Sequence, residues 1–344
     1  MKPMRFLWKR YKNQLIKQAK KIKTHQSFFT WQNLILIVTS KCNFSCKHCL
    51  RDSNDTRDLP FEIAQKAILG AKRYNFKNVV LTGGEPFLYS RFKELIEFIV
   101  KNNYTFSLVT NGWNFKKFAD FLKRYKDRIA SIAFSLESVD KKLHDFMRRQ
   151  DSFDRLMEDF RICRKYKIPF EIVTAIGPSN YGEILDISIF AKGHGAKCVA
   201  FTTMLPCPRT QKNKLVLDAA KRQELFSMLR GLYKITKLPV DIAADIRANS
   251  NIKLCLALNM NEVTVDVDGN LVHCCELAGY DSKSISHGAV ATSLKDKSFD
   301  EALKILSEYI HKFICGRIED YKIQPDTDHI DFNSCFYCVD KLGK

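Results

Sequence analysis

Long apolar segments and a secretion signal are both missing from this chain of 344 residues. No apolar run reaches the roughly 18 residues that a membrane-spanning helix needs, and the start lacks the arrangement of a signal peptide. Low-complexity linkers and repeats beyond a strand–helix period are missing as well. These absences predict an ordinary globular protein of the cytoplasm, long enough for one large domain and a small one.

Acidic residues are absent from residues 1–29, which hold nine lysines or arginines. The spacing of apolar residues predicts a basic amphipathic helix over residues 1–30 that covers the bottom of the main domain. Peripheral contact of this helix with an anionic membrane is the alternative. The apolar stripe consists of Met4, Trp8, Tyr11, Leu15, Ala19 and Ile22. The net charge of +18 comes without an aromatic RNA-binding motif, so no specific nucleic acid is expected as a partner.

Short β-rich runs alternate with helical stretches through the middle of the chain. The runs lie at 33–40, 78–82, 105–110, 131–136, 170–176 and 198–204, and the helices near 61–75, 89–103, 114–127, 152–167, 180–194 and 217–231. Six such units predict a parallel sheet with right-handed crossovers, too few to close an eight-stranded barrel. We therefore predict an α/β fold, with a partial (β/α)6 TIM-like barrel over residues 31–245 and its chemistry at the carboxyl ends of the strands.

The pattern changes after residue 245. Residues 262–275 predict a β-hairpin that turns at Asp268-Gly269, and a helix is predicted near 298–313. The tail, 314–344, is interpreted as irregular. Residues 246–344 are thus predicted to form a small α+β cysteine-rich domain.

Cysteine is abundant, with twelve residues, and clustered cysteines in a reducing compartment indicate metal or redox chemistry rather than disulfides. Cys42, Cys46 and Cys49 follow the first strand with the spacing C-x3-C-x2-C. Three thiolates can hold three irons of a [4Fe–4S] cluster and leave the fourth iron open. A structural zinc site is the alternative, but it needs four ligands, usually in two pairs.

This motif resembles the signature of the radical S-adenosylmethionine (SAM) superfamily. Gly83-Gly84-Glu85-Pro86, at the end of the second strand, resembles that family's GGEP motif, and residues 144–148 resemble its H-D-x-x-R stretch. The resemblance implies a [4Fe–4S] cluster that binds SAM and cleaves it to a 5′-deoxyadenosyl radical, which abstracts a substrate hydrogen. It also implies a flavodoxin- or ferredoxin-type electron donor as a partner.

The resemblance implies a role for eight residues in binding SAM. Exposed carbonyls of the glycine segment, together with Glu85, would receive the methionyl ammonium, while Ser135 and Arg148 would bind the methionyl carboxylate. Glu137 would bind the ribose, and His48 could stack on adenine. From the residues alone, a plain turn at the glycines and a surface ion pair at Arg148 are the alternatives. The full set is His48, Gly83, Gly84, Glu85, Asn111, Ser135, Glu137 and Arg148.

A second cysteine group lies in the C-terminal part. The spacing around Cys255 and Cys274 resembles the opening of the SPASM and twitch extensions of the same superfamily, which implies one auxiliary [4Fe–4S] cluster held by Cys255, Cys274, Cys335 and Cys338. A zinc ribbon is the alternative, and Cys315 could replace one ligand. Cys275 and Cys207 are candidate catalytic thiols that return a hydrogen atom to a substrate radical, against the alternative of simple packing.

Three functions remain open at this point. The first is oxidation of a sugar-like or other small polar substrate, acidic by the charge balance, with the auxiliary cluster as electron acceptor. The second is epimerisation or peptide maturation; maturases often carry a leader-peptide domain, for which the residues before the first strand leave no room. The third is a non-catalytic iron–sulfur or zinc protein, which the combination of motifs argues against.

Overall fold

A computed structural model of the protein describes residues 2–24, 32–51, 55–229, 231–242, 255–278, 289–323 and 334–342. The strands are β1 (Gln32–Thr39), β2 (Phe76–Gly83), β3 (Thr105–Thr110), β4 (Ile129–Ser135), β5 (Phe170–Ile176), β6 (Val199–Thr203), β7 (Val240–Ile242), β8 (Glu262–Val265), β9 (Asn270–Val272) and β10 (Val290–Ser293). The helices are α1 (Lys2–Lys23), α2 (Phe61–Ala71), α3 (Phe92–Lys101), α4 (Phe115–Lys123), α5 (Lys141–Met147), α6 (Ser152–Tyr166), α7 (Ile184–His194), α8 (Pro208–Lys212), α9 (Ala219–Leu229), α10 (Leu232–Thr236), α11 (Phe299–Ile323) and α12 (Ser334–Leu342).

The strands form one open sheet in the order β10-β9-β8-β1-β2-β3-β4-β5-β6-β7. Strands β1 to β7 pair in parallel, as right-handed strand–helix units require, and β8 pairs in parallel with the other side of β1. The predicted α/β fold with a partial barrel is confirmed, and all six predicted strands are present. Strand β7 was not predicted, because its three residues are too short to give a periodic signal.

Alternation along the strands separates the core from the barrel interior. In β5, for example, Phe170, Ile172 and Ile176 are buried, whereas Glu171, Val173 and Ala175 between them are half-buried. Because successive side chains of a strand point to opposite faces, one set packs against the helices and the other lines the interior. The interior is therefore partly accessible at the strand ends, where a ligand can enter.

The C-terminal part joins the barrel sheet. Strands β8 and β9 form the predicted hairpin, in which Gly269 takes the left-handed φ of 82° that the turn needs. Because β8 pairs with β1, the hairpin continues the sheet across the predicted boundary near residue 245. The interpretation of the tail as irregular is wrong for the described residues: α11 continues to Ile323 and α12 follows. Buried Ile314 and Ile318 extend the apolar stripe of α11 past the predicted helix end.

The N-terminal helix α1 packs against α11. Leu15, Ala19 and Ile22 of its predicted stripe are buried in the main core, while Lys20 and Lys23 are exposed. The side chains of the stripe's first three residues lie outside the described side chains. This arrangement favours the interpretation of α1 as a covering helix over that of a helix inserted in a membrane surface. No helix in the described ranges combines the length and apolarity that crossing a membrane requires.

A buried carboxyl on α6 supports the loop after β3. Asp159 is buried behind Gly112, and its Oδ2 has no hydrogen-bond partner among the described residues. Burial, together with nearby Glu158, raises the pKa of Asp159 to about 9. The group is therefore protonated in the folded protein at neutral pH and ionised in the unfolded chain.

We expect Asp159→Asn to stabilise the protein at alkaline pH. Folding takes up a proton at Asp159 between the unfolded pKa near 4 and the folded value, so the free energy of unfolding falls as the pH rises through this window. A neutral amide takes up no proton on folding. We therefore expect the free energy of unfolding to rise by about 1–3 kcal/mol at pH 8 and to depend less on pH. Urea denaturation at pH 6 and pH 8 measures it, with exposed Asp127→Asn as control. A larger gain in the free energy of unfolding at pH 6 than at pH 8 would contradict the raised pKa of Asp159.

Candidate active site

The three cysteines of the first motif follow β1 and share one cavity. Cys46 is buried, whereas Cys42 and Cys49 are half-buried. All three line a cavity of about 210 Å³ at the carboxyl ends of the barrel strands. The backbone N–H of Phe44 donates to the sulfur of Cys42, and that of Arg51 to the sulfur of Cys49, each at 3.4 Å. The loop thus presents its thiols to the mouth of the barrel.

The geometry of these thiols suits a cluster. Burial raises the pKa of Cys46 to about 12 against the opposing charge of Arg148, so the thiol is protonated until a metal displaces the proton. In the described part of the chain, no three His, Cys, Asp or Glu side chains are grouped as ligands of a single metal ion. A [4Fe–4S] cluster differs from zinc here, because each thiolate binds a different iron and the sulfurs stand further apart.

The glycines after β2 lie against the cysteine loop. The N–H of Gly84 donates to the carbonyl of Thr39 and that of Glu85 to the carbonyl of Lys41, both at 2.8 Å. A Cβ on Gly84 would overlap the carbonyl oxygens of Ser40 and Lys41, and Gly83 has a φ of 141°. Both glycines line the cavity. Their lack of a side chain lets two backbone segments meet beside the cysteines.

Glu85 follows these two glycines but does not itself line the cavity. Its side chain is buried and accepts hydrogen bonds from the hydroxyl of Thr110 and the N–H groups of Asn111 and Phe87. Burial raises the pKa of Glu85 to about 7, against these hydrogen bonds. In this arrangement the carboxylate holds the ends of β2 and β3 together, and Thr110 and Asn111 reach the cavity in its place.

Glu137 is the centre of a buried ionic network. Its Oε1 accepts from Nη1 of Arg148 at 2.6 Å and lies 3.3 Å from Nε2 of His48, while its Oε2 accepts from the N–H of Ala175 at 2.9 Å. Burial alone would raise the pKa of Glu137, but the charges of His48 and Arg148 outweigh it and lower the pKa to about 2. The carboxylate therefore positions two cavity residues, and it does not itself line the cavity with them.

Two polar atoms of this network lack a partner in the described structure. Nε of Arg148 and Nδ1 of His48 are buried with no hydrogen bond, and both side chains line the cavity. Buried polar groups are rarely left unpaired, so these atoms fit a polar ligand in the cavity. Ser135 and residues 203–205 line it as well, and Asn111 lies there with its Nδ2 3.0 Å from Oδ1 of Asn43. The residues present therefore fit SAM beside a cluster.

The C-terminal cysteines gather near this cavity. Cys274, Cys335 and Cys338 belong to one apolar cluster. Burial raises the pKa of Cys338 to about 12; Arg317 lowers it, and the nearby thiol of Cys255 adds to the rise. Arg317 is fully buried. The thiols of Cys274, Cys335 and Cys338 thus share one apolar cluster, and Cys255 and Cys338 both lie within electrostatic range of Arg317.

Three other cysteines occupy different environments. Cys315 is half-buried on α11, 3.9 Å from Nε2 of His311, and helical geometry places it on the opposite face from Arg317. Cys207 lies in the same apolar cluster as Cys274, Cys335 and Cys338, where its sulfur accepts from the N–H of Thr210. Neither Cys207 nor Cys275 lines the cavity. A hydrogen-donor role for these two thiols stays a prediction that this geometry does not favour.

Several cavity residues were missed from the sequence, and two of these carry charges. Arg51 donates through Nη1 to the carbonyl of Ala278 at 2.6 Å and through Nη2 to that of Cys275 at 3.3 Å, which ties the cysteine loop to the C-terminal part. Glu276 brings a carboxylate from that part to the cavity wall. Its pKa is raised by burial and held down by the charge of Arg51. No local signal marks either residue, because each contact joins positions more than 200 residues apart.

Comparison with known proteins relates part of the chain to one protein family. Residues 36–191 match the sequence profile of the Radical SAM superfamily. The chain is 28% identical over 173 residues to the antilisterial bacteriocin subtilosin biosynthesis protein AlbA of Bacillus subtilis, a match that spans 48% of this chain and only 37% of AlbA. It is 24% identical over 289 residues to the GTP 3′,8-cyclase of Campylobacter fetus, spanning 79% of this chain and 87% of the cyclase.

The fold is similar to that of Streptococcus suis SuiB. SuiB bound to its precursor peptide SuiA superposes with a TM-score of 0.66 and 17% identity, over 88% of this chain and 70% of SuiB. SuiB bound to S-adenosylmethionine gives a TM-score of 0.64 at 16% identity, over 84% of this chain and 68% of SuiB. At this level of identity the likeness concerns the fold.

Proposed function

Because residues 36–191 make this chain a member of the radical SAM superfamily, we propose that it is a radical SAM oxidoreductase acting on a small polar, sugar-like substrate. The family implies a [4Fe–4S] cluster and SAM as cofactors. The observation that carries the oxidative assignment is the second set of thiols. Arg51 joins the segment of Cys274 and Cys275 to the first cysteine loop, and Glu276 of that segment lines the cavity.

The chain's own residues prepare the cavity in distinct ways. Cys42, Cys46 and Cys49 would hold the cluster, which with bound SAM supplies a radical that abstracts hydrogen. Arg148, fixed by Glu137, offers its unpaired Nε to a carboxylate, and Asn111, whose amide nitrogen donates to Asn43, lines the cavity as well. The glycine segment brings backbone close to the cysteines. The strand ends and residue 276 leave room for the substrate beside these groups.

Oxidation would proceed in balanced steps. A substrate C–H bond gives up a hydrogen atom, which ends in 5′-deoxyadenosine. Cys255, Cys274, Cys335 and Cys338 would hold an auxiliary cluster able to accept the second electron from the carbon, while the neighbouring O–H or N–H loses a proton. A C=O or C=N bond would result, and a carrier protein in its oxidised form would accept the stored electron. A fully cysteine-ligated cluster suits this role, because no iron is open to bind substrate.

The variant Cys338→Ala tests the proposal. We expect it to keep SAM cleavage, measured as 5′-deoxyadenosine, while the oxidised product falls at least about tenfold per deoxyadenosine, because the electron acceptor is damaged. Buried Cys163→Ala, on α6, is the matched control. Solvent deuterium in an otherwise unchanged substrate would overturn oxidation in favour of epimerisation.

Peptide maturation is the second candidate. It is favoured by the likeness to AlbA, named for bacteriocin biosynthesis, and to SuiB, solved with a precursor peptide. Forming a thioether or carbon–carbon crosslink is also a two-electron oxidation, so the same acceptor would serve. Mass spectrometry of a precursor peptide encoded beside the gene decides: a mass loss equivalent to H₂ supports maturation, and an unchanged peptide together with an oxidised small molecule excludes it.

A further inference from the structure

The outer side of the cysteine loop carries an exposed aromatic ring with a lysine over its face, and adjoining segments carry further cations. Phe146 is 64% exposed, and Nζ of Lys47 lies 3.8 Å from the centre of its ring. Arg149, Arg209 and Lys212 complete this feature, the cluster-loop patch, which consists of Lys47, Phe146, Arg149, Arg209 and Lys212. None of the five lines the cavity. The patch therefore lies outside the cavity.

The patch is bonded directly to the cluster ligands' backbone. Nη1 of Arg209 donates to the carbonyl of Cys46 at 3.4 Å, and Nη1 of Arg149 donates to the carbonyl of Asn43 at 2.6 Å. Lys47 itself follows Cys46 in the chain, and its own carbonyl accepts from Nδ2 of Asn213 at 3.2 Å. Few covalent and hydrogen bonds thus separate this surface from a thiolate of the cluster.

The charge of this surface is almost entirely positive. Four of the five patch residues are lysines or arginines, and residues 41–51 and 206–217, which supply three of these four, contain no Asp or Glu. The nearest carboxylates in the α5–α6 connection, Asp145 and Asp151, face Lys141, whose Nζ lies 3.0 Å and 3.8 Å from them. An exposed large aromatic within a cationic rim is the composition expected of a protein-docking site.

We infer that the cluster-loop patch is the docking surface for an acidic one-electron carrier protein. In this step the carrier loses one electron and the cluster gains it, passing from the 2+ to the 1+ state, with no bond made or broken. An acidic carrier fits because its negative rim pairs with the lysines and arginines, while Phe146 supplies an apolar centre that excludes water. The inference rests on the cluster at Cys42, Cys46 and Cys49, and not on the substrate proposed above.

The test compares two reductants on the reconstituted protein. A photoreduced flavodoxin reduces the cluster through docking, whereas dithionite needs no docking surface; the bleaching of the cluster's visible absorbance reports both rates. We expect Phe146→Ala and Lys212→Glu each to slow flavodoxin reduction about tenfold or more, and high salt to slow the wild type similarly. Dithionite reduction should stay as in the wild type.

Lys101→Glu is the matched charge reversal. Lys101 is exposed at the C-terminal end of α3, and because that helix runs antiparallel to the strands, it lies at the end of the barrel remote from the cysteine loop. In the Lys101→Glu variant, flavodoxin should reduce the cluster at the wild-type rate. Wild-type flavodoxin rates in Phe146→Ala and Lys212→Glu would overturn the inference. A failure of the wild type to form deoxyadenosine with dithionite would instead concern the enzymatic function.

Discussion

Replacing Cys42, Cys46 and Cys49 together with alanine is expected to abolish 5′-deoxyadenosine formation and to lower the iron content from about eight to about four atoms per chain. The three thiols share the cavity that the strand ends form, so their loss removes the cluster that binds SAM. Of the predicted auxiliary thiols, Cys274, Cys335 and Cys338 lie in an apolar cluster separate from the main core, and none of the four lines the cavity. The remaining iron therefore reports on the second site.

The control for this experiment is Cys198→Ala. Cys198 is half-buried just before β6, near the opposite end of the strands from the cavity. It should retain the wild-type iron content and activity. An iron content equal to that of the wild type in the triple variant would contradict the assignment of the first cluster. A fall to zero would show that the two clusters assemble only together.

Gly84→Ala is expected to reduce deoxyadenosine formation by at least about a hundredfold and stability by about 2–4 kcal/mol. The new Cβ would overlap the carbonyl oxygens of Ser40 and Lys41, which belong to the backbone directly before Cys42. Backbone atoms cannot rotate away as a flexible side chain can, so the cysteine loop must shift. The hydrogen bonds from Gly84 and Glu85 to this backbone would be lost or strained.

Gly193→Ala provides the matched comparison. A Cβ at Gly193, within α7, would meet nothing within 4 Å, and alanine favours a helix over glycine. This variant should be as active as the wild type and slightly more stable. Equilibrium binding of SAM to both variants, with urea denaturation, makes the comparison. Wild-type SAM affinity in Gly84→Ala would show that the loop tolerates the displacement.

Local sequence patterns were sufficient to predict the parallel strands and the position of the cysteine loop. Alternating burial in β5 and the apolar spacing of the helices follow from short stretches of chain, and the Asp268-Gly269 turn needs a left-handed glycine that sequence can identify. The same approach failed at the tail. There Cys315 and Gly316 interrupt the helical sequence pattern of α11. In the structure, Ile314 and Ile318 are nevertheless buried along the apolar stripe of that helix.

Roles assigned to individual polar residues depended on contacts that local pattern does not contain. Contact of Glu85 and Glu137 with SAM stays a prediction, and in the structure both carboxylates contact other residues of the chain. Glu85 binds Thr110 and Asn111 across strand ends, and Glu137 fixes Arg148. A carboxylate at a strand end can face the ligand or a neighbouring strand, and only the packing of the neighbours selects between them.

By itself, the sequence determined that Cys42, Cys46 and Cys49 stand at the end of a barrel strand with a glycine-rich turn beside them, because motif spacing and strand periodicity are properties of short segments. Tertiary structure decided what surrounds them. The contact of Arg51 with Cys275, the entry of Glu276 into the cavity and the grouping of Cys274 with Cys338 join positions far apart in the chain. Such contacts arise only when the C-terminal hairpin pairs with β1, a long-range pairing that no local pattern encodes.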